Sequence, residues 1–225
     1  MCLGALGAGP AWLGSARAGG LGDGATTITL IGDSTVARWP SEHCAMMGWG
    51  RKLAEMAPPG ITVRNRAWPG RSSSEFLARE WPSVRASLPR GGIVLMQFGH
   101  VDAIRGASPE ASYRPSLQRL AEEALARGAR PWLCTPVASW RFAGASWVYE
   151  FERFADQMQA LARVMQLPLL PLGQLMGAEI ERLGPQRAQA LFMLAHDGQD
   201  RIHLTAAGAT LAAGLVWRAL QTARR

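Results

Sequence analysis

The sequence is poor in cysteine, and its few cysteines lack the spacing of a metal site. Its 225 residues include three cysteines, Cys2, Cys44 and Cys134, without a Cys-x-x-Cys pair or a Cys/His ligand pattern. A zinc site therefore has no support, and at most one disulfide can form. No Walker loop, Gly-x-Gly-x-x-Gly fingerprint or EF-hand loop is present either. The sequence thus carries no motif for a bound metal or nucleotide.

Lysine is nearly absent, and the positive charge of the chain comes from scattered arginines. Lys52 is the only lysine, and the arginines stand singly apart from the pair Arg224-Arg225. Nucleic-acid binding uses clustered cations that release counterions from phosphates, so this pattern argues against it despite a formal charge of +7. A weak attraction to polyanions, acidic polysaccharides included, and an arginine-rich composition without any partner both stay open.

Long apolar runs are missing as well. No stretch approaches the ~20 continuous apolar residues that cross a bilayer, so no transmembrane segment is predicted. Hydrophobic residues at 48% and charged residues at 18% nevertheless exclude wholesale disorder, which needs low hydrophobicity and high net charge. A chain of 225 residues with this composition is expected to form one domain around a sizeable core.

Residues 1–25 differ in composition from the rest of the chain. They are rich in glycine and alanine, and Ala16-Arg17-Ala18 resembles the small-residue cleavage site of a leader peptide, although a basic start is missing. A flexible tail or a missed upstream start codon would produce the same pattern. We therefore interpret 1–25 as a flexible segment or possible leader and 26–225 as the domain. A secreted or periplasmic location and a cytoplasmic one stay equally open.

From residue 26 onward, strand-like and helix-like segments alternate. Helical stripes run from Leu77 to Leu88, from Tyr113 to Leu125 and from Phe151 to Met165, and a last helix is predicted with Thr205 as its N-cap. This alternation predicts an α/β fold with a mainly five-stranded parallel sheet, right-handed crossovers and helices on both faces. Ligands bind such folds beyond the carboxyl ends of the strands. The predicted strands are 27–31, 61–66, 93–98, 131–135 and 168–170.

The turn after the first predicted strand reads Gly32-Asp33-Ser34. A serine at this place has its hydroxyl lifted out of the sheet, and the amides that follow it can face an oxyanion. The tripeptide alone also fits a turn or N-cap serine. Ser34 is therefore a candidate nucleophile only if the chain supplies a base.

A candidate base lies near the other end of the chain, in Asp200-Arg201-Ile202-His203. A serine hydroxyl needs an imidazole to take its proton, and the imidazole needs a carboxylate to hold its tautomer. Asp200 and His203 can supply both, although a loop salt bridge or a cap would use the same pair. The serine turn and this loop together favour a catalytic triad.

Two further blocks follow the second and third predicted strands. With the serine turn and the histidine loop, the motifs are Gly32-Asp33-Ser34-Thr35-Val36, Gly48-Trp49-Gly50, Asn65 through Ser72, Gln97-Phe98-Gly99-His100 with Asp102, and Asp200 through His203 followed by Thr205 and Gly208. In these motifs the sequence resembles the SGNH, or GDSL-type, hydrolases, most of all their rhamnogalacturonan acetylesterase-like branch. The resemblance implies a flavodoxin-like three-layer α/β/α fold and ester hydrolysis without metal or organic cofactor. It also implies that Ser34 is the nucleophile, His203 the base and Asp200 its orienting partner, and that the amides of Ser34 and Gly70 form the oxyanion hole.

One position departs from the family pattern. The third block ordinarily reads Gly-His-Asn-Asp and its asparagine donates a third hydrogen bond to the oxyanion, but here the position is Val101. Losing one such donor typically lowers the rate by about 10²–10³. We therefore expect a weakened or rearranged esterase rather than an inert protein. Asp102 is expected to brace the loop, as in the family.

Three residues are tentative substrate contacts. Arg71 could meet an acidic sugar or brace a carboxylate, His100 could contact substrate or pack beneath its loop, and Trp39 could border the pocket or serve packing. The sequence thus predicts a serine esterase acting on short acyl, above all acetyl, esters of a carbohydrate or other small ester. Two alternatives stay open: an impaired carbohydrate-binding or assembly protein of the same fold, and an acyltransferase to sugar hydroxyls. The oligomeric state is left open.

Overall fold

The computed structural model describes residues 26–39 and 45–222. Its centre is a parallel sheet of five strands in the order β2-β1-β3-β4-β7, which is the order of a flavodoxin-like fold. The predicted leader segment 1–25 lies outside the described residues, so the domain boundary at residue 26 stays a prediction. The sheet strands are β1 (Thr26–Gly32), β2 (Ile61–Asn65), β3 (Ile93–Gln97), β4 (Arg130–Cys134) and β7 (Leu169–Leu170).

Helices cover both faces of the sheet, and each face has its own hydrophobic core. One core joins the sheet to α1, α7 and α9, and the other joins it to α2, α3, α5 and α6. The prediction of a three-layer α/β/α sandwich with a mainly five-stranded parallel sheet is confirmed. The helices are α1 (Trp49–Met56), α2 (Ser73–Arg79), α3 (Trp81–Ala86), α4 (His100–Ile104), α5 (Arg114–Ala126), α6 (Glu152–Met165), α7 (Leu172–Ala188), α8 (Leu194–Asp197) and α9 (Ala206–Thr222).

Two helical regions are interrupted, one of them within a predicted apolar stripe. The stripe between Leu77 and Leu88 forms two helices, α2 and α3, because Pro82 in the first turn of α3 has no N–H to continue the preceding helix. In α7 the backbone is non-helical at Gly184, which precedes Pro185, and the helix is kinked there. The predicted N-cap of the last helix is confirmed, because the Thr205 hydroxyl accepts a hydrogen bond from the Gly208 amide at 3.3 Å.

Three short features connect these elements. A two-stranded hairpin, β5 (Phe142–Ala143) and β6 (Ser146–Trp147), follows β4 where the sequence analysis predicts no strand. A single π-helical turn, Pro109–Tyr113, leads into α5, and a 3₁₀ turn, Gln189–Leu191, follows α7. In the part of the chain that the structure describes, no helix is both long enough and apolar enough to cross a bilayer.

Candidate active site

The candidate nucleophile lies in a tight turn directly after β1. The amides of Val36 and Ala37 donate to the Asp33 carbonyl at 3.3 and 3.2 Å, which closes the turn around Ser34. The Asp33 carboxylate accepts from the Thr35 amide at 3.0 Å and from the Thr35 hydroxyl at 2.8 Å. The turn is therefore held by hydrogen bonds of its own side chains, and the Ser34 side chain is left to face the rim of the sheet.

Buried polar contacts connect this turn to β3 and α1. The Trp49 indole donates to Gln97 Oε1 at 2.8 Å, and Gln97 Nε2 donates to the Thr35 hydroxyl at 2.9 Å. From β2, the Asn65 side chain donates through Nδ2 to the carbonyl of Val36 at 2.7 Å. Because hydrogen bonds in a buried site are costly to leave unmade, these contacts fix the turn in one position.

The loop before α9 brings a histidine onto the serine. Ser34 Oγ and His203 Nε2 are 2.8 Å apart although 169 residues separate them in the chain, and His203 Nδ1 lies 2.7 Å from Asp200 Oδ2. The backbone of this loop is anchored at the histidine and at the residue that follows it. Met193 donates its amide to the His203 carbonyl at 2.8 Å, and Leu204 forms a β-bridge with Phe192. The predicted serine, histidine and aspartate thus lie in one hydrogen-bonded row.

The hydrogen bonds of the Asp200 carboxylate favour its ionised form. Partial burial would raise its pKa, but hydrogen bonds from the amides of His203 and Ile202, and then from the His203 ring, outweigh burial and lower it. These two amides donate to Asp200 Oδ1 at 2.9 and 3.0 Å. An ionised carboxylate accepts only, so His203 Nδ1 carries a proton and Nε2 is free to accept from Ser34.

Trp39 borders the serine and histidine pair. Its indole nitrogen donates to the Ser34 carbonyl at 2.9 Å, and its ring stands edge-on to the His203 ring with centroids 6.0 Å apart. The aromatic ring therefore lies beside the reacting groups and is not buried in the core.

The two backbone amides expected in the oxyanion hole have no partner among the described residues. Neither the Ser34 nor the Gly70 N–H donates to a backbone or side-chain acceptor there. Gly70 is exposed and has φ of +71°, a conformation that glycine adopts without strain. Val101 is 8% exposed at the start of α4, and its side chain offers no donor.

His100 is buried beneath the site, with 1% of its surface exposed. Its Nδ1 lies 3.1 Å from Asp33 Oδ2, and its Nε2 lies 3.0 Å from the carbonyl of Val137. Both ring nitrogens are therefore engaged, and the tentative role of His100 in binding substrate has no free donor to support it. The alternative of a histidine packed beneath the loop matches this placement.

Arg71 and Asp102 make contacts within and next to the loop that carries Gly70. Arg71 Nε donates to Glu80 at 3.1 Å, and its guanidinium lies 5.9 Å from the Trp68 ring centre. Asp102 accepts from the Ser73 amide at 3.0 Å and from the Ser73 hydroxyl at 2.6 Å. Burial raises the pKa of Asp102 above its ordinary value, although the hydrogen bonds from Ser73 oppose the shift.

The sequence analysis missed one residue of this region, Arg105. It follows α4 and reaches across to the loop after β2, where its Nη2 donates to the Gly70 carbonyl at 2.9 Å. A lone arginine after a short helix gives no local signal of such a contact. Among residues 26–39 and 45–222, no group of three or more His, Cys, Asp or Glu side chains is arranged to hold a metal ion.

Comparisons with solved structures agree with this architecture. A Bacillus subtilis protein, YXIM, superimposes with a TM-score of 0.78 at 28% identity over 88% of this chain, which spans 56% of the length of that chain. An acetylxylan esterase from Geobacillus stearothermophilus superimposes with a TM-score of 0.66 at 18% identity, covering 88% of this chain and 94% of its own. At that identity the second likeness speaks for the fold alone.

Sequence comparisons identify the family. The rhamnogalacturonan acetylesterase RhgT of Bacillus subtilis is 30% identical over 201 residues, 84% of this chain and 87% of the relative. A probable rhamnogalacturonan acetylesterase of the same species, YesY, is 28% identical over 203 residues, 88% of this chain and 93% of its own. A sequence model of the GDSL-like lipase/acylhydrolase family matches residues 30–211. The chain therefore belongs to the GDSL-like lipase/acylhydrolase family, and its resemblance to the rhamnogalacturonan acetylesterases within that family is confirmed.

Proposed function

We propose that this protein is a serine esterase that removes short acyl groups, above all acetyl, from a carbohydrate. The observation that carries the proposal is the row Ser34–His203–Asp200, with distances of 2.8 and 2.7 Å. This row holds a hydroxyl, a base and an orienting carboxylate in the order that acyl transfer requires. The names of its relatives RhgT and YesY support an acetylated carbohydrate as the substrate.

The first half of the reaction forms an acyl-enzyme. Ser34 Oγ attacks the ester carbonyl carbon while His203 Nε2 takes the hydroxyl proton, and Asp200 stabilises the imidazolium that results. The negative charge that develops on the carbonyl oxygen is met by the amides of Ser34 and Gly70. His203 then returns the proton to the departing sugar oxygen, and the carbon–oxygen bond of the ester breaks. The acyl group is left on Ser34.

The second half regenerates the enzyme with the same residues. His203 Nε2 takes a proton from a water molecule, the resulting hydroxide attacks the acyl carbonyl, and the same two amides meet the oxyanion. The proton then passes from His203 to Ser34 Oγ as the bond to the serine breaks, and the acetic acid released ionises in solvent. Trp39 stands beside His203 and borders the ester, while the Val101 side chain supplies no third donor, so we expect slower turnover than three donors would allow.

Replacing Ser34 by alanine tests this proposal. We expect Ser34→Ala to lower kcat for p-nitrophenyl acetate by about 10⁴-fold or more, because the nucleophile is removed while the fold is kept. Ser83→Ala, which changes an exposed serine on α3, is the matched control and should turn over normally. A fluorophosphonate probe should modify wild type at Ser34, as mapped by peptide mass spectrometry.

Three outcomes would contradict the proposal in different ways. Wild-type turnover by Ser34→Ala would show that the nucleophile is another group. Binding of an acetylated oligosaccharide by wild type without acetate release, over hours at high enzyme concentration, would favour the impaired carbohydrate-binding protein. Transfer of the acetyl group to an added sugar in preference to water would identify an acyltransferase.

A further inference from the structure

We infer that Arg105 is a positioning residue that sets the Gly70 amide for the oxyanion, an inference that rests on the proposed esterase function. Arg105 directly follows α4, and its guanidinium makes two contacts with the chain after β2. Nη2 donates to the Gly70 carbonyl at 2.9 Å, and Nη1 forms an ion pair with Glu75. One planar group with donors in a rigid fork thus joins α4 to two points of the neighbouring segment.

Glu75 is a fixed anchor for this fork. It is the third residue of α2 and completes a capping box with Ser72, in which the Ser72 amide donates to the Glu75 carboxylate at 3.0 Å. That amide first, and Arg105 second, lower the pKa of Glu75 to about 2. The carboxylate is therefore charged throughout the neutral range and is bound to the start of a helix. The guanidinium that pairs with it is held in place relative to α2.

Few contacts from the described residues hold Gly70. Among those residues, no heavy atom lies within 4 Å of where a Cβ on Gly70 would stand. The hydrogen bond that closes the loop is long, with the Arg71 amide 3.4 Å from the Trp68 carbonyl. In the described part of the chain Arg105 donates to the Gly70 carbonyl from outside the loop. Because glycine turns freely at φ and ψ, holding its carbonyl also limits the directions in which its N–H can point.

Both proposed oxyanion donors are connected through α4. At its start, His100 pairs with Asp33 in the turn that carries Ser34, at 3.1 Å. At its end, Arg105 binds the Gly70 carbonyl, and its own amide donates to the Val101 carbonyl at 3.0 Å. The short helix α4 and the residue after it thus contact both the turn that carries Ser34 and the loop that carries Gly70. Because Val101 offers no third donor, the spacing of the remaining two decides how well the oxyanion is met.

The test compares Arg105→Gln with Arg85→Gln. Arg85 is a matched control, because its side chain is 45% exposed against 48% for Arg105 and it pairs with a glutamate away from the loop, Glu123. We expect Arg105→Gln to lower kcat for p-nitrophenyl acetate by about 10–10²-fold, the effect of displacing a reacting geometry by an ångström or less, with KM changed less than threefold. Arg85→Gln should leave both constants unchanged.

Two further variants keep the inference falsifiable if Arg105→Gln does not fold. Arg105→Lys keeps the charge but loses the fork, and Glu75→Gln removes the anchor. We expect each to lower kcat less than Arg105→Gln does, about 3–30-fold, again without a matching rise in KM. Thermal melts of every variant show which of them are folded.

The outcomes separate this inference from the proposed function. Unchanged kcat in Arg105→Gln, or in both other variants if it is unfolded, would overturn the inference while an inactive Ser34→Ala still upholds the esterase. A rise in KM at constant kcat would also overturn it, because Arg105 would then contact substrate rather than set the loop. Full activity in Ser34→Ala would overturn the proposed function itself.

Discussion

Two aspartate–histidine contacts lie in the part of the chain that the structure describes, one beneath the sheet rim and one on it. In the buried pair, His100 Nδ1 lies 3.1 Å from Asp33 Oδ2, with side chains 2% and 0% exposed. In the rim pair, His203 Nδ1 lies 2.7 Å from Asp200 Oδ2, with side chains 28% and 24% exposed. The same two residue types in similar contact therefore occupy two very different environments.

The partner of the second ring nitrogen separates the two pairs. His100 Nε2 faces the carbonyl of Val137, which can only accept, so that nitrogen must carry a proton. His203 Nε2 faces the Ser34 hydroxyl, which has a proton to give. A carboxylate next to an imidazole thus does not by itself make a catalytic base. The group on the far side of the ring decides whether a proton can move.

The two aspartates are both kept ionised, but for different reasons. Burial would raise the pKa of Asp33, yet the charge and hydrogen bond of His100, with hydrogen bonds from Thr35, lower it. The two ring nitrogens of His100 face acceptors on both sides, Asp33 Oδ2 and the Val137 carbonyl, and neither faces a hydroxyl. Asp200 is held ionised mainly by the backbone amides of its own loop. The buried pair therefore serves structure, and the rim pair can serve proton transfer.

Of the substitutions in the two aspartate–histidine pairs, Asp200→Asn is expected to have the largest effect on activity. The change keeps the acceptor for the Ile202 and His203 amides but removes the charge that orients the imidazole. We expect kcat to fall by about 10⁴-fold, the size of such a change in a serine hydrolase triad. The melting temperature should change little because the loop hydrogen bonds persist. A variant within tenfold of wild type would show that Asp200 does not orient the base.

The same substitution in the buried pair, Asp33→Asn, is expected to act on stability first. It removes the buried carboxylate charge that His100 and Thr35 contact in a site closed to solvent, and we expect the free energy of unfolding to fall by about 3 kcal/mol in urea titrations at pH 7. If its unfolding free energy matches that of wild type, the Asp33 charge does not stabilise the fold.

A pH series is the internal control for Asp33→Asn. Asp33 has a lowered pKa in the fold, so its contribution is present above its ordinary value of 3.8 and is lost as the pH falls through the folded value. The part of the wild type–variant difference that the Asp33 charge supplies should therefore shrink as the pH falls below about 3.8. A difference that stays unchanged well below that pH would contradict the assigned charge of Asp33.

A smaller effect is expected from Val101→Asn, at the residue between His100 and Asp102 in α4. His100 and Asp102 fix the backbone on either side, so a new side-chain amide at 101 is presented on a rigid frame. We expect kcat for p-nitrophenyl acetate to rise by about 10–10³-fold through a third oxyanion donor. Val101→Ala, which shortens the side chain without adding a donor, is the control and should not rise. Equal turnover of both variants would mean that position 101 does not face the oxyanion.

Local sequence patterns were sufficient for most of the fold. β-branched and apolar runs predict the five sheet strands, and the signal is clearest for β1 and β3, whose nearly complete burial allows no polar face. The hairpin at Phe142–Ala143 and Ser146–Trp147 was missed because each strand has two residues, too few for an alternating pattern. The break between α2 and α3 was missed because the apolar period continues across it, although Pro82 was a readable signal.

Sequence alone also named the residues of the candidate triad, since Ser34 and Asp200 with His203 occur in short motifs whose chemistry is recognisable. It assigned His203 as the base from its motif, but it could not show the surroundings of His203 or His100, nor the contact of Arg105 with Gly70. Those surroundings consist of residues tens of positions apart, and they meet only where the parallel strands align their carboxyl ends at one edge. The amino-acid sequence thus names the groups that acyl transfer needs. Only the folded chain shows that His203 meets a hydroxyl and His100 a carbonyl, because packing between distant segments sets the burial and the partner of each ring nitrogen.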